Sequence, residues 1–223
     1  MLLHDGSSVA VQASTLVESI IGNSVTSVAI PETSDCVEWF RTQLEEAGAS
    51  TKSSRTEKEG PPFFMLLVRC EADGSVCKRV RVLARGLLKS AADGAGLSKE
   101  FAAAPPVHLV LLGGATCANS ARMAGPQVFG GGQRFRNALV KAGAQSLVAA
   151  KGQGSPPSRV LEVHSELVDL PKELTKAFES WGLLDGGSSA ASAPSPPPGE
   201  STASPPAPAP PAAAAAAAAV TAP

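Results

Sequence analysis

The stretch LVLLGGATCANSARMAGPQVFGGGQRFRNALVKAG, residues 109–143, decides how this chain is built. It begins inside an apolar run, Val107 to Leu112, passes through a long segment of glycine and small residues, and ends in a helical pattern, Arg134 to Lys141, stopped by Gly143. A short apolar run bounded by glycine suits a strand covered on both faces. Strand, loop and helix in that order are the first parts of a βαβ unit, whose helix returns the chain to a parallel neighbouring strand.

The same alternation recurs on the N-terminal side. Val9 to Gln12 predicts a short strand, followed by a helix capped at Ser14-Thr15 that carries Leu16, Val17, Ile20 and Ile21 and stops at Gly22-Asn23. Val25 to Ile30 predicts a second strand, closed by Pro31. Asp35 and Glu38 then stand three apart like a capping box, opening a helix with Val37, Phe40 and Leu44 inward and Gly48 at its end. Residues 49–60 are polar and unpatterned, a surface loop, and Phe63 to Val68 predicts a central strand.

Two readings compete for CEADGSVCKRVRVLARGLLKS, residues 70–90. A hairpin about Asp73-Gly74 sets Cys70 opposite Cys77. A helix from Val76 gathers Val76, Val80, Leu83 and Leu87 on one face and Lys78, Arg81, Arg85 and Lys89 on the other. Further on, Ser146 to Ala150 and Val160 to Val163 predict strands, and Pro171 to Trp181 a helix with Leu174, Ala177, Phe178 and Trp181 inward. The expected fold is α/β: one domain over residues 1–185, with a mostly parallel sheet flanked by helices and at most one hairpin, at 63–83.

Residues 186–223 are Ala, Pro, Ser and Gly apart from Thr202, Val220, Thr221 and one charged side chain, Glu200. Such a low-complexity, proline-rich segment buries too little apolar surface to offset its ordering entropy, so a disordered tail is expected. Its Pro194–Pro198 and Pro205–Pro211 segments favour polyproline conformation and offer an SH3-like partner a docking site.

Nineteen Lys and Arg against 20 Asp and Glu leave a net charge of −1, which argues against a nucleic-acid partner. No apolar run approaches the roughly 20 residues of a membrane helix, and Met1 to Asp5 lacks the basic start of an export signal, so a soluble, intracellular, cytoplasmic protein is expected. Cys36, Cys70, Cys77 and Cys117 form no C-x-x-C and accompany no histidine at ligand spacing, and are read as reduced thiols without a metal.

In parallel sheets, ligands bind outside the carboxyl ends of strands. The loop leaving Leu112 holds Gly113 and Gly114, then Asn119 and Ser120, then Gly130, Gly131 and Gly132 before a helix whose first turn carries Arg134 and Arg136. Glycines admit close approach of a ligand, a helix N-terminus presents free N–H groups, and arginine grips phosphate or carboxylate in two places. These nine residues form the candidate ligand site, for a small anionic ligand or a protein partner. The segment matches neither G-x-G-x-x-G after a strand nor G-x-x-x-x-G-K-[ST], so a plain flexible connector is the competing reading, and no cofactor is named. Three minor candidates complete the survey: His108 as a core histidine, Glu162, His164 and Glu166 on one side of a strand, and the basic stripe Arg81, Arg85 and Lys89.

The segment LVLLGGATCANS followed by GGGQRFRNALVKAGAQSLVAA resembles the last part of a CHAT or caspase-like domain, in which a strand ends near a cysteine and a glycine-led helix ending in A-G-A runs into the next strand. The resemblance implies a cysteine peptidase site with Cys117 as catalytic nucleophile. The family's His-Gly after the preceding strand is replaced here by Glu71-Ala72, so what the resemblance implies is an inactive relative, its thiol lacking a base. Ala118-Asn119-Ser120 with Gly130 to Gly132 is similar to the strand end and glycine loop of the macro domain, which implies an ADP-ribose-like ligand. The leading expectation is a non-catalytic α/β binding domain acting through residues 113–136. An enzyme or degenerate peptidase relative at Cys117, and an interaction module acting through tail and basic stripe, are the alternatives.

Overall fold

The chain runs β1 (Leu2–His4), α1 (Ser8–Ile21), β2 (Ser27–Ala29), α2 (Cys36–Lys52), β3 (Phe64–Cys70), α3 (Lys78–Ala92), α4 (Ser98–Ala103), β4 (Val107–Gly113), α5 (Gly130–Ala142), a single 3-10 turn (Gln145–Leu147), β5 (Val160–Val163) and α6 (Leu170–Trp181). The computed structural model describes residues 1–21, 25–33, 35–52, 61–113, 129–148, 159–163 and 169–184. The expected tail, 186–223, lies outside them.

All five strands are parallel, in the order β2-β1-β3-β4-β5. β3 and β4 pair along their whole length, Phe64 with Val107 through Cys70 with Gly113. Every residue of β4 and all of β3 but Arg69 is buried, which is why these two segments read as unbroken apolar runs. Successive side chains point to opposite faces. Phe64, Leu66 and Val68 join the core beneath α2, α3 and α5, while Met65 and Leu67 join the core beneath α1 and α6. Each large side chain so covered contributes roughly 1.5–3 kcal/mol.

The helices follow from apolar spacing. Val80, Leu83 and Leu87 bury one stripe of α3, and Leu170, Leu174, Ala177, Phe178 and Trp181 one stripe of α6. Pro171 stands in the first turn of α6, and Gly182, at φ +68°, ends it in the left-handed conformation.

Several local expectations are corrected. Val9 to Gln12 is helical: α1 starts at Ser8, the Ser7 hydroxyl accepts the Ala10 N–H, and Ala10, Ala13 and Val17 form the buried stripe. The first strand is Leu2–His4, inserted between β2 and β3. Burial of that stripe outweighs the β preference of two valines. The hairpin at 63–83 is reduced to one antiparallel bridge, Cys70 to Val76, around the Asp73-Gly74 turn; Val76, not Cys77, faces Cys70, and the helix reading holds from Lys78. Gly48 does not end α2, which continues to Lys52. Its lack of a side chain lets the Ala103 carbonyl approach, 2.9 Å from where a Cβ would stand. Of the strand expected at Ser146 to Ala150, residues 146 and 147 belong to the 3-10 turn, with the Ser146 hydroxyl bonded to the N–H and carbonyl of Val107; residues 149 and 150 lie outside the described part. α4 falls in a stretch for which no element was expected.

His108 lies wholly inside, its ring 4.6 Å from that of Trp181 and its Nε2 3.0 Å from the Arg159 guanidinium. Arginine only donates, so Nε2 accepts and the proton sits on Nδ1, which has no partner among the described residues. Burial, then the neighbouring guanidinium, pushes its pKa from 6.5 down to about 3. The folded state therefore resists a proton that the unfolded chain takes up below pH 6.5, and stability falls with pH over that window, ending near pH 3. One proton changes stability by up to about 1.4 kcal/mol per pH unit. Urea unfolding at pH 7 and pH 4.5 should show His108→Leu losing about 2–3 kcal/mol less than the native chain between the two conditions. Equal losses would show that His108 does not titrate as a buried neutral ring.

Candidate functional site

The sheet reverses its winding between β1 and β3, since the chain leaves β1 toward β2 and leaves β3 toward β4. Such a switch point ordinarily opens a ligand crevice. Here the protein's own side chains lie across it. The Asp5 carboxylate, 3% exposed, accepts the N–H groups of Ser7 and Arg69 at 2.9 and 2.7 Å, and the Cys77 thiol donates to the Asp5 carbonyl. Arg79 donates to the Ile30 carbonyl and to Glu32, and its guanidinium stands 2.7 Å from where a Cβ on Gly6 would be. Burial pushes the Cys77 thiol upward in pKa, away from reactivity.

The open space lies elsewhere, between the N-terminal halves of α3 and α5. A cavity of about 750 Å³ is lined there by the Asp73–Val76 turn, by Arg81, Ala84, Arg85 and Leu88 of α3, and by Gly130, Gly131, Arg134 and Phe135 of α5. That is within the range of small-ligand pockets, roughly 300–1,000 Å³. Phe135 and Val76 are buried and form the floor, Leu88 is 37% exposed, and the three arginines are exposed.

Of the nine expected ligand residues, Gly114, Asn119 and Ser120 lie outside the described part, as does Cys117. The other six are placed. Gly113 ends β4, where a Cβ would meet the Val163 carbonyl at 3.1 Å and the Phe129 ring. Gly131 gives its N–H to the Gly74 carbonyl at 2.6 Å, and a Cβ on it would stand 2.8 Å from the Val76 nitrogen. A Cβ on Gly132 would reach Leu111 at 2.8 Å and Cys70 at 3.0 Å. Gly130 is open, with nothing nearer than the Gly74 carbonyl at 4.0 Å. Gly113, Gly131 and Gly132 thus serve close packing. Arg136 turns away from the cavity and grips the Leu147 carbonyl through two nitrogens, at 3.0 and 2.7 Å. Arg134, the other arginine of that helix, faces the cavity.

What spacing alone did not join is the pairing of Arg134 with Arg81 and Arg85. The other described arginines are engaged: Arg41 with Glu38 and Glu100, Arg69 with Glu71, Arg79 with Glu32, Arg136 with Leu147, Arg159 with His108. Arg81, Arg85 and Arg134 form no ion pair or hydrogen bond among the described residues, and all three line the one cavity. Asp73, on the rim, is held below the usual carboxylate range, first by its hydrogen bonds with Ser75 and least by Arg81. Glu162 accepts a hydrogen bond from Gln133, while His164 and Glu166 lie outside the described part, and the described residues contain no group that could hold a metal. No family model matches the chain, and no curated protein shows detectable similarity to it.

Alanine substitution separates packing glycines from the open one. Gly131→Ala and Gly132→Ala should each destabilise by about 1–3 kcal/mol, the cost of overpacking. Gly130→Ala should be neutral or stabilise by up to ~1 kcal/mol through helix propensity. Chemical denaturation of the three variants checks this, and a destabilised Gly130→Ala with a neutral Gly132→Ala would reverse the assignment.

Proposed function

We propose that the protein is a non-catalytic α/β binding module that holds an anionic ligand in the groove between α3 and α5. The observation that carries this reading is the convergence of the three unengaged arginines on one cavity with an apolar floor. Fixed guanidinium groups recognise carboxylate or phosphate in two-point contacts, and an apolar floor takes up the body of a ligand while the charges orient it. The anion contacts come from side chains rather than from the N-terminus of α5, where Gly74 already takes the Gly131 N–H. Arg81, Arg85 and Arg134 are the binding residues in this reading, and Gly130 marks where a ligand comes nearest the helix backbone.

Thermal denaturation in the presence of inorganic pyrophosphate, sugar phosphates, nucleotides and dicarboxylates tests it. A ligand at 100 times its Kd stabilises by about 2.7 kcal/mol, a shift of roughly 5–10 °C for a chain of this size. Arg81→Ser/Arg85→Ser/Arg134→Ser should remove the shift. Arg136→Ala should lower the melting point of the free protein, by about 1–3 kcal/mol of stability, yet keep the shift. A shift that survives in the triple serine variant would place the ligand outside the groove.

A further inference from the structure

α3 carries five basic residues, Lys78, Arg79, Arg81, Arg85 and Lys89, and no acidic one, in a chain whose net charge is −1. Arg79 is spent on Glu32. The other four are exposed and, at 100° per residue, fall within about 80° of arc along roughly 17 Å of helix. The groove with Arg134 runs along one side of this stripe. Between and beside its arginines the α3 lip also carries apolar positions: Ala84 is half-buried and Leu88 is 37% exposed. A compact anion uses one end of such a surface. An extended anionic chain engages all of it.

The chemistry of the rim selects among extended chains. Phe135, the aromatic residue among the described residues lining the groove, is fully buried, so these residues offer no ring face on which a nucleobase could stack. The Asp73 carboxylate stands among the lining residues, where it can accept a peptide N–H, a donor that a polyphosphate chain lacks. Leu88 gives an aliphatic side chain a place to bury. Resting on the reading of the groove as the binding site, we propose that its occupant is a segment of a partner protein rich in Asp and Glu and carrying an aliphatic side chain, which packs on Leu88 while its carboxylates pair with Arg81, Arg85, Lys89 and Arg134.

Fluorescence anisotropy with the full-length chain tests this. The probes are a labelled Glu/Asp peptide containing leucines, the same peptide with serine in their place, a single-stranded RNA of equal length, and inorganic pyrophosphate as competitor. The leucine peptide should bind at least about tenfold more tightly than its serine counterpart, the worth of one to two buried methylene groups or more. Arg81→Glu/Arg85→Glu and, separately, Leu88→Asp should each weaken it by about tenfold or more, while Lys172→Glu/Lys176→Glu on α6, at the opposite face of the sheet, should change it by less than about twofold. Raising salt from about 0.05 M to about 1 M should shorten the screening length from roughly 14 to 3 Å and release the peptide. Circular dichroism and melting of each variant establish that it is folded. Binding of RNA more tightly than the leucine peptide overturns the proposal, as does equal binding of the serine peptide. If pyrophosphate shifts the resonances of the groove and the peptides neither bind nor compete, the anion site stands and the acidic segment falls. If nothing binds there, both fall.

Discussion

The first turn of α5 can lie against the sheet only because side chains are missing from it. Gly132 sits over Leu111 and Cys70, and Gly131 meets the backbone of the 73–76 turn closely enough to hand its N–H to Gly74. This contact between a helix start, two neighbouring strands and the turn that follows one of them fixes the angle at which α5 meets α3. Gly86 admits a neighbour on the other side of α3: a Cβ on it would stand 2.4 Å from the Val37 side chain of α2. With α3 clamped between two neighbours, its outward residues have one orientation. Phe135 turns into the core beside Leu111, and Arg134, one residue earlier, is left outside, facing Arg81 and Arg85.

Charge is distributed unevenly as a result. On the β1 side of the sheet the switch point is closed by pairs, with Glu32 on Arg79 and Asp5 on backbone N–H groups, so that little field escapes. On the α3–α5 side positive groups accumulate, and among the described residues lining the groove Asp73 is the carboxylate. Two opposite unit charges 4 Å apart attract by about 1 kcal/mol in water and about 4 kcal/mol at the effective dielectric of a protein surface, so convergence of several on one groove matters more locally than the near-zero sum over the chain. A net charge of −1 is therefore uninformative about this face.

The parts of the fold legible in the sequence are those where one local signal suffices. The runs at 64–70 and 107–113 are apolar throughout because both faces are covered, and α2, α3 and α6 show their inward stripes at spacings of three and four. Leu2–His4 is too short to show either pattern, and its place between β2 and β3 depends on residues 27 and 65 onward, far away in the chain. Val9 and Val11 favour a strand locally and are carried into a helix by the stripe around them. Gly48 reads as a helix end and Gly86 as a weak point in one, yet each stands inside a helix at a point of contact, with Ala103 and Val37 respectively. A glycine that ends a helix and one that admits a neighbour look alike until the neighbour is placed.

The candidate site was legible only in halves. The basic stripe of α3 follows from helical period, and the glycine-arginine segment of α5 follows from composition, but they are separated by about 50 residues and nothing in either points to the other. The pairing of β3 with β4 in register, Cys70 opposite Gly113, joins them, because it sets the helix after β3 beside the helix after β4. It also decides between the two arginines of α5: two positions along a helix is about 200° of rotation, so Arg134 and Arg136 cannot serve the same face. The guanidinium groups thus project from helices locked by core contacts rather than from a loop, and on the proposed function less backbone ordering entropy would be lost on binding an anion. Rigidity of this kind originates in the packing glycines, so in the proposed reading Gly131 and Gly132 act from one step away, by holding the helices from which the arginines converge.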